Sequence, residues 1–139
     1  MKQIIYQNES GGVSVIIPTG ELSIEEVAAK DVPEGVAYEI VEDDAIPSDR
    51  TFRNAWVANG AAVDVDLDQA KSIGHDKRRA ARAEEFKPHD EVIMKQIPGA
   101  DAVAAEAARA AIRTKYEQVQ TAIDAATTPD EIKTALEAA

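Results

Sequence analysis

The residues with the most evident capacity for chemistry lie mid-chain. Asp64-Val65-Asp66-Leu67-Asp68 sets carboxylates at alternate positions, as the opening of a calcium-binding loop does. Such a loop needs glycine at its sixth position for a sharp turn and glutamate at its twelfth to close the coordination shell. Counted from Asp64, those places hold Gln69 and His75, so the match fails. The aspartates read instead as a loop running into a helix start, where negative charge meets the positive end of the helix dipole. His75 and His89 are separated by Pro88 and have neither HExxH spacing nor a cysteine partner, so both read as surface residues. Gly11-Gly12 is not followed by the pattern of a phosphate-binding loop, and no GxSxG nucleophile motif occurs. Glu42-Asp43-Asp44 reads as a solvated acidic loop. No two residues can be paired by spacing into a catalytic constellation, and the expectation is a protein that is not an enzyme, with no cofactor and no metal.

The sharpest charge feature is Asp76-Lys77-Arg78-Arg79-Ala80-Ala81-Arg82. Basic side chains this dense could grip phosphates along a helix. Glu84 and Glu85 follow at once and no aromatics are interleaved, so ion pairs along the helix, or docking onto an acidic surface of another subunit, fit better than nucleic acid. The overall charge agrees: the 139 residues carry −11, with −9 on residues 1–66 and −2 on residues 67–139. An acidic front half repels a phosphate backbone.

Hydrophobic residues make up 45% of the chain, enough for a packed core, while aromatics are only 4% and alanine crowds the second half. Helices so poor in large side chains must pack closely or lean on a partner. There is no cysteine, hence no disulfide framework. Met1 to Tyr6 lacks a signal-peptide core and no apolar run approaches the ~18 residues of a membrane span. A soluble, intracellular protein is expected.

The elements that must position these residues follow from local pattern. Gln3–Tyr6 and Val13–Ile17 are β-prone runs joined by a polar, glycine-containing link, and read as an antiparallel hairpin. Ser23 and Glu26 form a capping-box pattern opening a short helix with Ile24, Val27 and Ala28 on its buried face. Val36–Val41 reads as a third strand. The cluster Ile4, Tyr6, Val15, Ile17, Val27, Tyr38 and Ile40 is the expected core of this β-β-α-β module over residues 1–57. Residues 58–65, with the turn signal Asn59-Gly60, read as a linker. The remainder, 66–139, reads as helical, with helices at about 66–86, 90–97, 101–126 and 129–138. The expected class is therefore α+β, a small antiparallel sheet with one helix followed by a helical half.

In the helical half, Leu67, Ala70, Ile73, Ala80, Ala81 and Phe86 lie near a 3.6-residue rhythm that Gly74 interrupts and Lys87-Pro88 ends or kinks. Ile112, Tyr116, Val119 and Ile123 form a heptad-like seam, suited to the preceding helix or to copies of the same chain. Thr128-Pro129-Asp130-Glu131 is a helix start with a capping residue and proline in the first position. The sole tryptophan, Trp56, either plugs the end of the sheet or anchors a partner. The candidate partner-binding residues are Trp56, Phe52, Arg53, Arg78, Arg79, Arg82 and the seam Ile112, Tyr116, Val119, Ile123.

Two blocks carry a resemblance. Ile46-Pro47-Ser48-Asp49-Arg50-Thr51-Phe52-Arg53-Asn54-Ala55-Trp56 is similar to the PxDRTFRxAW segment of small proteins encoded by tailed phages and prophages. Val65–Arg82 is similar to the VDxxxAKxIxxDKxRxAR helix that follows it there, and Thr128-Pro129-Asp130-Glu131-Ile132 resembles the TPEEL ending of the same group. Glu84–Gly99 departs from the group in length and composition. Such proteins tend to be encoded near tail and tail-fibre genes. The resemblance implies a virion structural or accessory protein, tail- or tail-fibre-associated, assembled in the bacterial cytoplasm and binding other phage structural proteins; the alanine-rich helices, which can pack closely in an oligomer, add the expectation of a homo-oligomer. A non-virion tail-fibre assembly chaperone, or an acidic regulator of a host protein, is the alternative.

Overall fold

Two adjacent isoleucines, Ile4 and Ile5, are 0% and 1% exposed, because successive side chains of a strand point to opposite faces and both faces of this strand are covered. The computed structural model describes residues 1–96 and 98–139, with five strands and four helices in an α+β arrangement. The chain divides into Met1–Gln69 and Ala70–Ala139.

In the first unit, β1 (Lys2–Gln7) is the middle strand of an antiparallel sheet between β2 (Val13–Ile16) and β3 (Tyr38–Glu42). Asn8 holds the β1–β2 turn: its Oδ1 accepts from the backbone N–H of Ser10 at 3.1 Å and of Gly12 at 3.0 Å. Gly11 takes φ +84°, which a residue with a Cβ resists. The register sets Ile4 beside Ile16 and Ile40, and α1 (Ile24–Asp31) covers that face with Val27 and Ala28. The capping box is present. Ser23 Oγ accepts from the Glu26 N–H at 3.2 Å, and Glu26 Oε2 accepts from the Ser23 N–H at 2.9 Å. That backbone bond, with the Ser23 hydroxyl, holds the Glu26 carboxyl below its ordinary value.

The opposite face carries Ile5, Val13 and Val41, and a second hairpin closes it: β4 (Trp56–Asn59) and β5 (Ala62–Val65), with Trp56 and Val63 turned inward beside Ile46. This corrects the expected linker over 58–65. Asn59-Gly60 does turn there, but Ala58, Ala62 and Asp64 are weak strand formers, and burial of Trp56 and Val63 supplies what propensity does not. Asp64 thus lies in a strand and accepts a bond from Asn59 Nδ2 at 2.8 Å. The expected core also needs correction. Val15 pairs with Ile5 and belongs to the Trp56 face, while Ile17 and Tyr38 are 56% and 42% exposed. A one-residue difference in pairing sends a side chain to the other face, and register is invisible in a short apolar run.

α2 (Leu67–Lys95) continues unbroken through Pro88, where two helices, 66–86 and 90–97, were expected. The end of the second expected helix, Ile97, lies outside the described residues. An interior proline costs one backbone bond and about 3 kcal/mol. Ion pairs to α3 (Ala102–Ala125) hold α2 on both sides of it: Glu85 with Lys115 at 2.7 Å, and Asp90 with Arg109 at 2.9 Å. α4 (Pro129–Glu137) starts as the sequence indicates, with Thr128 Oγ1 accepting from the Glu131 N–H at 3.3 Å. The Glu131 carboxylate reaches the N–H of Thr127 rather than that of Thr128, at 2.6 Å. Among the described residues no helix is long and apolar enough to cross a membrane.

Candidate functional site

The segment singled out by its arginines and aromatics begins with a turn. Asp49 Oδ1 accepts from the Thr51 N–H at 2.9 Å and the Thr51 hydroxyl at 2.6 Å. A single 3-10 turn, Arg53–Ala55, then delivers the chain into β4. Its geometry sends Phe52 and Trp56 inward, at 4% and 1% exposure. Trp56 is a core residue that joins the hairpin to the sheet, and neither aromatic presents a surface anchor. The arginines stay outside: the guanidinium carbons of Arg53 and Arg50 lie 4.5 and 5.8 Å from the centroid of the Trp56 ring, in the range of cation–π attraction.

In the helical unit the seam of α3 is consumed within the chain. Ile112, Tyr116, Val119 and Ile123 are all buried. On α2 the buried positions are Ala70, Gly74 and Arg78, whereas Ala80 and Ala81 are exposed, so the stripe read from the sequence is rotated. Gly74, expected to interrupt the helix, is where α2 meets Ile123 and Ile132. Close approach needs the missing Cβ, which a hydrophobicity pattern scores as a gap.

The Tyr116 hydroxyl donates to Glu85 Oε1 at 3.0 Å, and Lys115 Nζ donates to the same oxygen at 2.7 Å. The Lys115 bond, then the Tyr116 bond, hold the Glu85 carboxyl below its ordinary value against some burial. Burial first, then the bond to Glu85, push the Tyr116 phenol up. The two groups have opposite linkage. A lowered carboxyl contributes stability above its unfolded pKa of about 4.3 and loses it as pH falls through the lower folded value. A raised phenol contributes fully below about 10 and loses it as pH rises through the folded value. Urea titrations of wild type and Glu85→Gln are therefore expected to keep a constant separation above about 4.3 and to converge as pH falls below it. Equal separation at all acid pH values would show that Glu85 is not linked to folding.

The basic run is also turned to internal use. Arg78 is 6% exposed, and burial, then its neighbours Arg79 and Arg82, push its guanidinium below the ordinary value while Asp124 opposes them. Arg79 pairs with Asp76 at 2.8 Å, and Arg82 lies 5.6 Å from the Phe86 ring centroid. His75 is not a surface residue: its side chain is 17% exposed and Nε2 lies 2.8 Å from Asp124 Oδ1. Of the basic run, Lys77 and Arg79 are exposed and Arg82 is half-buried.

What α3 leaves outside is a second seam. Ala104, Ala107, Ala111, Thr114, Gln118, Ala122 and Ala125 are exposed and follow a three-four spacing along the face turned away from the buried seam. Thr114, Glu117, Gln118, Thr121, Ala122 and Ala125 line a shallow concavity of about 530 Å3 there. Sequence reading followed the large apolar residues and missed it, although the same heptad rhythm in small residues is visible. Comparison with family models, with curated proteins and with solved structures finds no match to this chain.

Proposed function

We propose that this protein is a structural or accessory component of a tailed-phage particle, associated with the tail or tail fibre, and that it acts by binding other protein chains rather than by catalysis. The resemblance of Ile46–Trp56 and Val65–Arg82 to small phage proteins supports the phage assignment. The observation that carries the binding mode is the outer face of α3. Its large apolar seam is spent inside the chain, and the exposed seam, alanine at five of its seven positions with Thr114 and Gln118 between, lets another helix approach closely. The partner is a helix of a phage structural protein or of a second copy.

Mass spectrometry of purified particles tests the assignment: the protein is expected in finished virions. Its presence on unassembled fibre but absence from virions would replace this reading with an assembly chaperone. Ala111→Glu and Ala122→Glu lie on the exposed seam and are expected to leave thermal melting within about 0.5 kcal/mol of wild type while abolishing incorporation. Incorporation at wild-type levels would remove the outer face of α3 from the mechanism.

A further inference from the structure

The first unit has four basic side chains against fourteen acidic ones over residues 1–69, yet one recess in it has no carboxylate in its wall. It encloses about 350 Å3 and is lined by Arg53, Asn54, Gln69, Ser10 and Gly12 with their neighbours on the β1–β2 turn and β2. Among the described residues Arg53 forms no ion pair, although an acidic unit offers many partners; it is placed instead over the Trp56 ring, which fixes its position without neutralising it. The turn side of the wall is already satisfied. Asn8 Oδ1 takes the N–H groups of Ser10 and Gly12 and the Ser10 hydroxyl at 2.6 Å. Asn8 Nδ2 gives one N–H to Ser14 Oγ at 3.3 Å. That leaves its second N–H, the Arg53 guanidinium and the side-chain amides of Asn54 and Gln69 as side-chain donors of the recess.

We propose that this recess binds a single carboxylate, with Arg53 taking it through a two-pronged bond and the amides of Asn54 and Gln69 donating to its remaining lone pairs. A planar fork matches a carboxylate, and a charged acceptor strengthens each bond. Phosphate shares the fork geometry but brings up to two negative charges into a unit of strongly negative field, so the same surroundings repel it about twice as strongly as a monoanion. This goes beyond the proposed role of α3, involves the other unit of the chain, and stands or falls separately from it.

Titration of the full chain with acetate, inorganic phosphate and chloride at constant ionic strength tests the proposal. Trp56, the sole tryptophan, reports through its emission because Arg53 lies against its ring, and the Arg53 Nε–H resonance reports directly. Acetate is expected to give a saturating change in both signals and chloride none. Arg53→Lys keeps the charge but loses the fork, and is expected to weaken acetate about tenfold. Asn54→Ala and Gln69→Ala, both at exposed positions, are each expected to weaken it several-fold with unchanged melting. Tighter binding of phosphate than of acetate, a response that does not saturate, or equal acetate binding by wild type and the three variants would each overturn the proposal.

Discussion

Trp56→Ala is expected to destabilise the N-terminal unit by about 4 kcal/mol, within the usual range for emptying a buried tryptophan site. The ring is 1% exposed and belongs to the same cluster as Ile5, Val13, Val41, Ile46 and Val63, so its removal takes the largest buried side chain from that face of the sheet. β4 and β5 pair only with each other, and a two-stranded hairpin is marginal in water without an apolar face to seat it. Loss of the ring therefore loosens the hairpin as well as leaving a void. Arg53 and Arg50 lose the surface they lie on. Because the variant has no tryptophan to follow by fluorescence, amide exchange at Ile4, Ile5 and Val41 is the suitable measure. Protection at these strand amides is expected to fall by several hundred-fold or more, as a loss of about 4 kcal/mol implies. Wild-type protection together with lost assembly would return Trp56 to the role of a partner anchor.

Gly74→Ala is the second substitution with a large expected effect, and its direction opposes helix propensity. In an isolated helix alanine is favoured over glycine by about 1 kcal/mol. Here a Cβ at position 74 would stand 2.7 Å from Ile132 Cγ2 and 3.6 Å from Ile123 Cδ1 and Cγ2. Ile132 and Ile123 are both 0% exposed, and the clashing methyl is on a branched carbon held close to the α4 backbone, so it cannot swing aside. Overpacking of this kind costs about 1–3 kcal/mol, enough to reverse the propensity gain. Urea unfolding followed by circular dichroism is expected to show a net loss of about 1–2 kcal/mol. Ile132→Ala alone is expected to cost about 3 kcal/mol, yet the double variant should lose at least about 1 kcal/mol less than the two single losses added, since the alanine Cβ enters the space the methyl leaves. Strict additivity would mean that Gly74 and Ile132 do not touch.

Both predictions concern residues whose role depends on distant parts of the chain. The heptad seam Ile112, Tyr116, Val119 and Ile123 was legible as a buried stripe, because its members are spaced within one helix. Whether another copy or the same chain covers it was not legible. The answer lies in Gly74 and Ile132, which belong to two other helices. The recess at Arg53 is harder still, since it gathers residues from positions 10–12, 53–54 and 69, and no local pattern links them. The exposed seam of α3 could have been found by applying the same spacing rule to alanine and threonine.

The residues alone determined what can be settled within a turn or two of chain. They set the Ser23–Glu26 cap, the Thr128-Pro129 helix start, the β1–β2 hairpin and the helical character of the second half, because caps and turns are satisfied by groups two to four residues away. The absence of a calcium loop at Asp64 was equally plain, since ligands at fixed offsets are present or they are not. Tertiary structure alone decided that Trp56 faces inward, that residues 58–65 pair as strands, that α2 runs past Pro88, and that the arginine at 78 is buried while the one at 53 remains without an ion pair among the described residues. Each of these outcomes sets a local preference against burial or ion pairing with residues far along the chain, and the long-range contact wins because it removes apolar surface from water or holds charge where the fold needs it.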